Sequence, residues 1–353
     1  MYRELCFNSS FLTGFCNFNT MTESRFHFSE EKPLRWGVIG CGSVTEKKSV
    51  PAYKDTLGFR VDMVMRRNTE KVEDYAKRHN IPKWTTNADE VINNPNIDAI
   101  YIATPPDTHK LYALKVAQVG KPCCIEKPMA PTYEDSLAIY KAFQAKNISL
   151  FVAYYRRSLP RFLKIKQWLD KGLIGEVRYI HWQKTKPPNE VDLSKKYNWR
   201  TDATIARGGY FDDLASHGLD LFAFLLGDIV DANGFGTNQL GLYSAFDAVT
   251  AIWMHEGGVT GTGSWNFGTH HRSDKAEILG SEGSIRFAIL DEAPIELENA
   301  SGHQTLEIPH PEHIQGFHVE NIKNHLLDKA VHPSTGKTGL NTNWVMEKIL
   351  GTV

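Results

Sequence analysis

From Leu34 onward, short apolar runs alternate with segments whose apolar residues return every three or four positions. RWGVIG (35–40), FRVDMVMR (59–66), DAIYIAT (98–104), KPCCIE (121–126) and SLFVAYY (149–155) read as strands. Between them Val72, Tyr75, Ala76 and His79 recur at helical spacing, and HKLYALKVAQVG (109–120) and YEDSLAIYKAFQAKN (133–147) read as helices, the first ended by Gly120. Strands alternating with helices of this length predict right-handed crossovers and a parallel sheet covered on both faces.

After about residue 155 the pattern changes. A helix over 161–175 leads into a strand over 176–184, and the rest is mostly hairpins. AVTAIWMHEGGVTGTGSWNF (248–267) turns at Glu256-Gly257-Gly258, KAEILGSEGSIRFA (275–288) turns at Gly280 to Gly283, and 295–308 turns at Ala300-Ser301-Gly302. The expected architecture is α/β: a doubly wound parallel sheet over 34–155, then an α+β domain over 156–353 with a large, mostly antiparallel sheet and helices on one face. A last helix over 341–350 is expected to be able to pack back on the first domain. Residues 1–33 read as a loose leader, with Met21 a candidate natural start.

The 353 residues are long enough for two cores. Lys and Arg (40) nearly balance Asp and Glu (41), so nothing is built to coat nucleic acid. Cys6, Cys16, Cys41, Cys123 and Cys124 are odd in number and show no C-x-x-C spacing, which argues against a disulfide framework or a zinc ribbon and fits a reducing cytoplasm. No run of ~18 apolar residues is available for a membrane span, and residues 1–20 are too polar for a signal peptide.

The first strand runs into GCGSVT, with Gly40 and Gly42 in the first two positions of a G-x-G-x-x-G turn and Thr45 in the third. Gly40 permits the tight turn, Gly42 lets the backbone approach a pyrophosphate, and with Ser43 and Val44 they open a helix whose N–H groups favour phosphate. This predicts a Rossmann domain. Where NAD sites often carry an acidic residue, the second strand ends in Met65-Arg66-Arg67. Two guanidinium groups suit a ribose 2′-phosphate, so NADP is preferred over NAD. ATPPDTH (103–109) and IEKP (125–128) follow the third and fourth strands, at the carboxyl ends where ligands bind. Thr104, Pro105, His109, Glu126 and Lys127 are therefore candidate cofactor contacts. Pro128 biases Lys127 toward an extended backbone facing the cleft.

GCGSVT, ATPPDTH and EKP, in this order, resemble the Gfo/Idh/MocA oxidoreductases, which include glucose-fructose oxidoreductase, inositol dehydrogenase and dihydrodiol or xylose dehydrogenases. The likeness covers residues 34 to about 350. Its partner motif is GGYFDDLASHGLDLFAFLLG (208–227), where Asp213 and His217 are four apart on one helical face and Asp220 three further on. The resemblance implies His217 as acid–base residue and Asp213 as the group that orients or polarises its imidazole. Hydride transfer between a carbonyl and an alcohol requires a proton exchanged at the oxygen, which a histidine can supply. Lys127 is then the donor that stabilises alkoxide charge, with Glu126 positioning it or the nicotinamide ribose. The resemblance also implies Tyr154, Tyr155, Arg156, Trp199 and Arg200, with Asp213 and His217, as the substrate wall. Asp220 either binds substrate hydroxyls or pairs with a base. His270 and His271 follow a strand toward the cleft without metal-like spacing, so no metal is expected.

The expected function is NAD(P)-dependent hydride transfer to or from a hydroxyl-bearing carbon of a sugar or polyol. The alternatives are a nicotinamide-dependent glycosidase of the same fold and a non-catalytic cofactor-binding regulator, which would not need Lys127, Asp213 and His217 together. An open sheet face with Trp253, Trp265 and Phe267 would supply a homodimer or homotetramer interface if those rings do not face the helices.

Overall fold

The structure is a computed structural model that describes residues 26–352. Most of the expected leader, Met21 included, lies outside the described residues. Strands β1 (Leu34–Ile39), β2 (Phe59–Met65), β3 (Lys83–Thr85), β4 (Ala99–Ile102), β5 (Cys123–Ile125) and β6 (Leu150–Val152) form one sheet in the order β3-β2-β1-β4-β5-β6. Every pairing in it is parallel. Helices α1 (Val50–Asp55), α2 (Thr69–Arg78), α3 (Ala88–Ile92), α4 (His109–Val119) and α5 (Tyr133–Ala145) supply the crossovers. One face packs around Trp36, Tyr53 and Tyr101, the other around Ile39, Ile100 and Ile125. Burial on both faces is why the central strands read as unbroken apolar runs. β3 and α3 were not legible, being three and five residues long, too short to show a period.

The second sheet contains β7 (Val177–Thr185), β8 (Ile229–Thr237), β9 (Ala248–His255), β10 (Thr260–Asn266), β11 (Ser273–Gly280), β12 (Gly283–Phe287), β13 (Ile295–Asn299) and β14 (Gly302–Leu306). Their order is β14-β13-β12-β11-β7-β10-β9-β8, antiparallel except where β7 meets β10. All three expected hairpins form, and β8, rich in Gly, Asp and Asn, was missed. Helices α6 (Pro160–Asp170), α7 (Glu190–Leu193) and α8 (Tyr210–Leu226) accompany this sheet. The core between helices and sheet is aromatic: Trp182 meets Trp265 edge to face at 5.4 Å, and Phe222 stacks on Trp253 at 5.8 Å. Gly218 sets the approach of α8, because a Cβ there would lie 2.3 Å from the Trp182 ring.

Of the two orientations that the sequence left open for these rings, the structure has the inward one. Trp253, Trp265 and Phe267 are buried, and their alternation partners Ile252 and Met254, with Phe235 on β8, face outward. The β11–β13 end of that outer face is instead charged, with Arg286 paired to Glu277 and Glu298.

After β14 the chain returns to the first sheet. Helix α9 (Gly316–Leu326), absent from the sequence reading, places Val319, Ile322 and Leu326 in the core around Trp36 and Tyr53. Helix α10 (Gly336–Leu350) begins earlier than the expected 341. It touches both halves: Gly336 lies against Leu150 of β6, while the Asn341 amide donates to Ile229 O at 3.1 Å in β8.

The segment between the sheets is fastened by a buried ion pair. Arg157 donates to both Asp220 oxygens, at 2.7 and 2.9 Å, and to Pro333 O at 3.1 Å; Thr342 of α10 donates to Asp220 at 3.2 Å. Asp220 is fully buried, so it pairs with a base and does not reach substrate. Removing one member of such a pair strands the other. Asp220→Ala is expected to lower the unfolding free energy by roughly 3–5 kcal/mol in urea denaturation, and Arg157→Met with Asp220→Leu to recover most of it. A loss under about 1 kcal/mol for the single change would contradict the pair's structural role.

Candidate active site

β1 runs into Gly40 at the junction of β1 and β4, where the strand order reverses. Gly40 has φ +100°, and a Cβ there would lie 2.7 Å from Thr104 N, so only glycine fits. At Gly42 the reason differs: no protein atom lies within 4 Å of a Cβ's position. The glycine keeps open a space that nothing in the chain fills, as close approach of a pyrophosphate requires. Thr45, standing where a third glycine was expected, closes the turn itself. Its hydroxyl accepts from Gly42 N at 3.0 Å and donates to Gly42 O at 2.9 Å. The helix beyond it starts as a π-helical turn, Thr45–Ser49, before becoming α1.

A cavity of about 380 Å³ opens from this turn, lined by Gly40, Gly42, Arg66, Arg67, Thr104 and Pro105. Ser43 and Val44 stand in the turn without lining it, while Asn68 and Tyr112, which the sequence reading missed, do line it. Arg66 donates to Cys41 O at 2.7 Å, which anchors its guanidinium at the cavity's edge, and Arg67 is exposed beside it. Open glycine space and switch-point position together fit a nicotinamide dinucleotide, with Arg66 and Arg67 at the cavity's edge.

His109 departs from expectation. It is fully buried, with Nε2 2.8 Å from Thr104 O and Nδ1 3.1 and 3.2 Å from Pro128 O and Met129 O. It ties the loop after β4 to the loop after β5, from which Lys127 departs, and it does not line the cavity at the Gly42 turn. Glu126 is buried too, accepting from Tyr101 at 2.6 Å and from Gln315 at 2.9 Å. The Lys127-Pro128 peptide is cis.

Lys127 reaches across to α8. Its Nζ donates to Asp213 Oδ1 at 2.5 Å and to Asp213 O at 2.7 Å, while Arg200 donates to Asp213 Oδ2 at 2.9 Å. Burial pushes the Asp213 carboxyl up, but Lys127 and Arg200 outweigh it and hold the group well below the usual carboxylate range. Asp213 therefore spends its oxygens on two cations and makes no hydrogen bond to His217, contrary to the orienting role expected of it. One turn on, His217 is 5% exposed, with Nδ1 unpartnered. Burial first, then the charges of Arg156, Lys127 and Lys48, push its pKa well below the ordinary value, so its imidazole is neutral at neutral pH.

Around His217 the substrate wall is partly as expected. Tyr155 lies 5.2 Å from the imidazole ring and Arg156 sits over Tyr155 at 5.0 Å. Tyr154 is fully buried and packs on His217 at 6.2 Å, a supporting contact instead of a surface one. Arg200 stacks on Trp199 at 4.3 Å. A cavity of about 540 Å³ beside Asp213 is lined by Arg200 and also by Tyr210 and by Lys186, Asn189 and Asn198, the last three of which no motif marked. His270 and His271 are exposed and face each other. Among the described residues no group of three or more His, Cys, Asp or Glu is arranged to hold a metal, and no helix is long and apolar enough to cross a membrane.

Comparison with known proteins agrees with this geometry. Residues 34–154 match the family described as an oxidoreductase family with an NAD-binding Rossmann fold, and residues 162–286 match the GFO/IDH/MocA C-terminal domain. The chain belongs to the Gfo/Idh/MocA oxidoreductase family. It is 35% identical over 325 residues to oxidoreductase P35 of Formosa agariphila, covering 91% of this chain and all of that protein. It is 30% identical over 203 residues to levoglucosan dehydrogenase of Pseudarthrobacter phenanthrenivorans, covering 57% of this chain and 48% of that one. A solved levoglucosan dehydrogenase in complex with NADH superposes with a TM-score of 0.79 at 25% identity, over 91% of this chain and 96% of that one.

Gly42→Ala separates binding from folding. Because its methyl group enters open space, unfolding free energy should change by less than about 0.5 kcal/mol. NADPH affinity, read by fluorescence titration, should fall about tenfold or more, a cost of ~1.4 kcal/mol. Unchanged affinity would show that the turn does not meet the pyrophosphate.

Proposed function

We propose that the protein is an NADP(H)-dependent dehydrogenase or reductase acting on a hydroxyl-bearing carbon of a sugar or polyol. The observation that carries the reading is the reach of Lys127, from the carboxyl end of β5, to α8 one turn from His217. The names of relatives, levoglucosan dehydrogenase among them, support a sugar or polyol. Arg66 and Arg67 beside the cavity, with no acidic residue at the end of β2, support NADP over NAD.

Gly40, Gly42, Thr104, Pro105, Arg66 and Arg67 are the residues that would hold the dinucleotide. When bound, its nicotinamide supplies the hydride acceptor or donor. The chain's own residues manage the oxygen. Lys127 has three donors, two of them occupied by Asp213, and the third is free to hydrogen-bond the substrate oxygen and stabilise alkoxide charge. Neutral His217 accepts the hydroxyl proton in the oxidising direction and returns it in the reducing direction. Asp213 fixes Lys127 and Arg200 in place. Glu126, held by Tyr101 and Gln315, braces the strand end from which Lys127 departs.

The outward side chains Phe235, Ile252 and Met254 give a homodimer or homotetramer its contact surface. The buried free thiols of Cys41, Cys123 and Cys124 suit a reducing cytoplasm.

Lys127→Met is expected to lower kcat by roughly 10²-fold or more while NADPH binding stays within about threefold, and His217→Gln to lower kcat by roughly 10²–10⁴-fold. A Lys127→Met enzyme of near-normal turnover would refute the reading. Because the folded pKa of His217 is depressed, its basic form persists on acidification. The acidic limb of kcat/KM for oxidation should therefore fall below the ordinary histidine value of about 6.5. Replacing Arg66 and Arg67 by Ala should shift preference from NADPH toward NADH by at least about tenfold; an enzyme that prefers NADH before the change contradicts the cofactor assignment.

A further inference from the structure

The cations around His217 outnumber the carboxylates that answer them. Lys127 and Arg200 share one, Asp213. Glu126 accepts from Tyr101 and Gln315. Arg157, Lys184 and Arg272 have their own partners in Asp220, Asp274 and Asp291. Arg156 has none. Its side chain is 4% exposed, its Nε donates to Ile289 O at 2.8 Å, its plane lies over Tyr155, and its Nη1 is buried with nothing to donate to. Arg161 behind it bonds only the carbonyls of Asp291 and Ala293 and leaves Nε unpartnered, and His310 nearby has both ring nitrogens buried and unpartnered; the carboxylate close to these two is Glu292, which accepts from His310 N at 2.9 Å and makes no ion pair with Arg156.

A buried charge costs several kcal/mol unless something pairs with it, and a guanidinium with a free edge presents the fork that fits an oxyanion. We propose that the substrate is an acidic sugar, and that Arg156, held between Ile289 O and the Tyr155 ring beside His217, is the receptor for its carboxylate. This rests on the sugar-oxidoreductase reading above and narrows its substrate class. The surrounding field agrees. Burial pushes the Tyr155 hydroxyl up, yet the charges of Arg156 and Lys48, a hydrogen bond to Arg156 and the charge of Lys127 together bring it below its ordinary value. Lys186 lines the 540 Å³ cavity beside Asp213 without an ion-pair partner, its Nζ 3.9 Å from the centre of the Tyr210 ring. Asp192 and the exposed Glu190 lie on that side, whereas Arg156 has no carboxylate in contact. The dinucleotide's phosphates do not account for Arg156. They belong at the Gly42 turn, whereas Arg156 hangs from Ile289, on the second-sheet side of His217.

A site built around a charged group discriminates strongly against the analogue that lacks it, because its own buried group is then left unpaired. The test uses matched pairs, glucuronate with glucose and galacturonate with galactose, plus glucose 6-sulfate, in NADP⁺ and NAD⁺ reduction assays on the full chain. For wild type, kcat/KM for the sugar acid should exceed that for its neutral partner by about 100-fold or more. In Arg156→Gln that ratio should collapse to within about tenfold, chiefly through KM, and Arg156→Lys, which keeps the charge without the fork, should restore part of it. A second readout needs no turnover: glucuronate should raise the thermal midpoint of wild type and not of Arg156→Gln. If Arg156→Gln does not fold, Arg156→Lys and the rise in sugar-acid KM between about 0.1 M and 0.5 M salt, over which the Debye length falls from about 10 Å to about 4 Å, carry the test. Preference for the sulfated sugar that depends on Arg156 upholds an oxyanion receptor and overturns the carboxylate. Neutral sugars turned over as well as acids overturn the inference and leave the redox reading standing. Arg156-dependent protection by glucuronate without any turnover upholds the receptor and overturns the redox reading. Neither protection nor turnover overturns both.

Discussion

The contact between Lys127 and Asp213 is the constraint around which the molecule is arranged. It joins a strand end of the parallel sheet to the helix that carries His217, and it is formed by groups that are only 10% and 17% exposed. Charges so withdrawn from water must be held in good geometry or they cost more than they return. Both sides are accordingly rigid. His109 ties the loop of Lys127 to the loop after β4, Gly218 lets α8 sit directly on Trp182, and Arg157 with Asp220 locks the connecting segment to that same helix. The returning helices α9 and α10 add a second fastening. In the proposed reading the two halves are halves of one site, since neither holds both the amine and the imidazole.

The same geometry sets the chemistry. A histidine buried among Arg156, Lys127 and Lys48 is kept neutral, the form that the proposed reaction needs to remove a proton from an alcohol. An aspartate one turn before it is kept ionised by two cations and holds the lysine in place, where the proposed reaction would develop an alkoxide. Environment, not residue type, assigns the roles, as with paired titratable groups whose pKa values are pushed apart. The Gly42 turn lies at the switch point of the parallel sheet, so the cavity it opens sits beside β4, next to the strand that delivers Lys127.

Much of this was legible in the sequence because its signals are local. Glycines after a buried strand, a lysine locked by a following proline, and an Asp and a His four apart on a helix each specify a place as well as a residue type. What was not legible depended on contacts between distant segments. That His109 serves three backbone carbonyls, that Asp213 turns toward Lys127 instead of His217, and that Asp220 meets Arg157 are outcomes of packing. Strand register was likewise open: alternation showed that half the side chains of β9 face inward without showing that Trp253 is among them. Lys186 and Asn189 carry no motif at all, and only the folding of the segment before α8 brings them to Asp213. Short elements such as β3 and glycine-rich ones such as β8 lack a period to read.

The central claim, that the amine of one half and the imidazole of the other act on the same substrate oxygen, is tested most directly by a double-mutant cycle on kcat. Lys127→Met, His217→Gln and the double variant are compared on one substrate under NADP⁺ saturation. Groups that work as a unit are grossly non-additive, so the double variant should be slower than the worse single one by less than about tenfold. Losses that multiply, leaving the double variant slower by the product of the two single effects, would show that the residues act independently and would contradict the account.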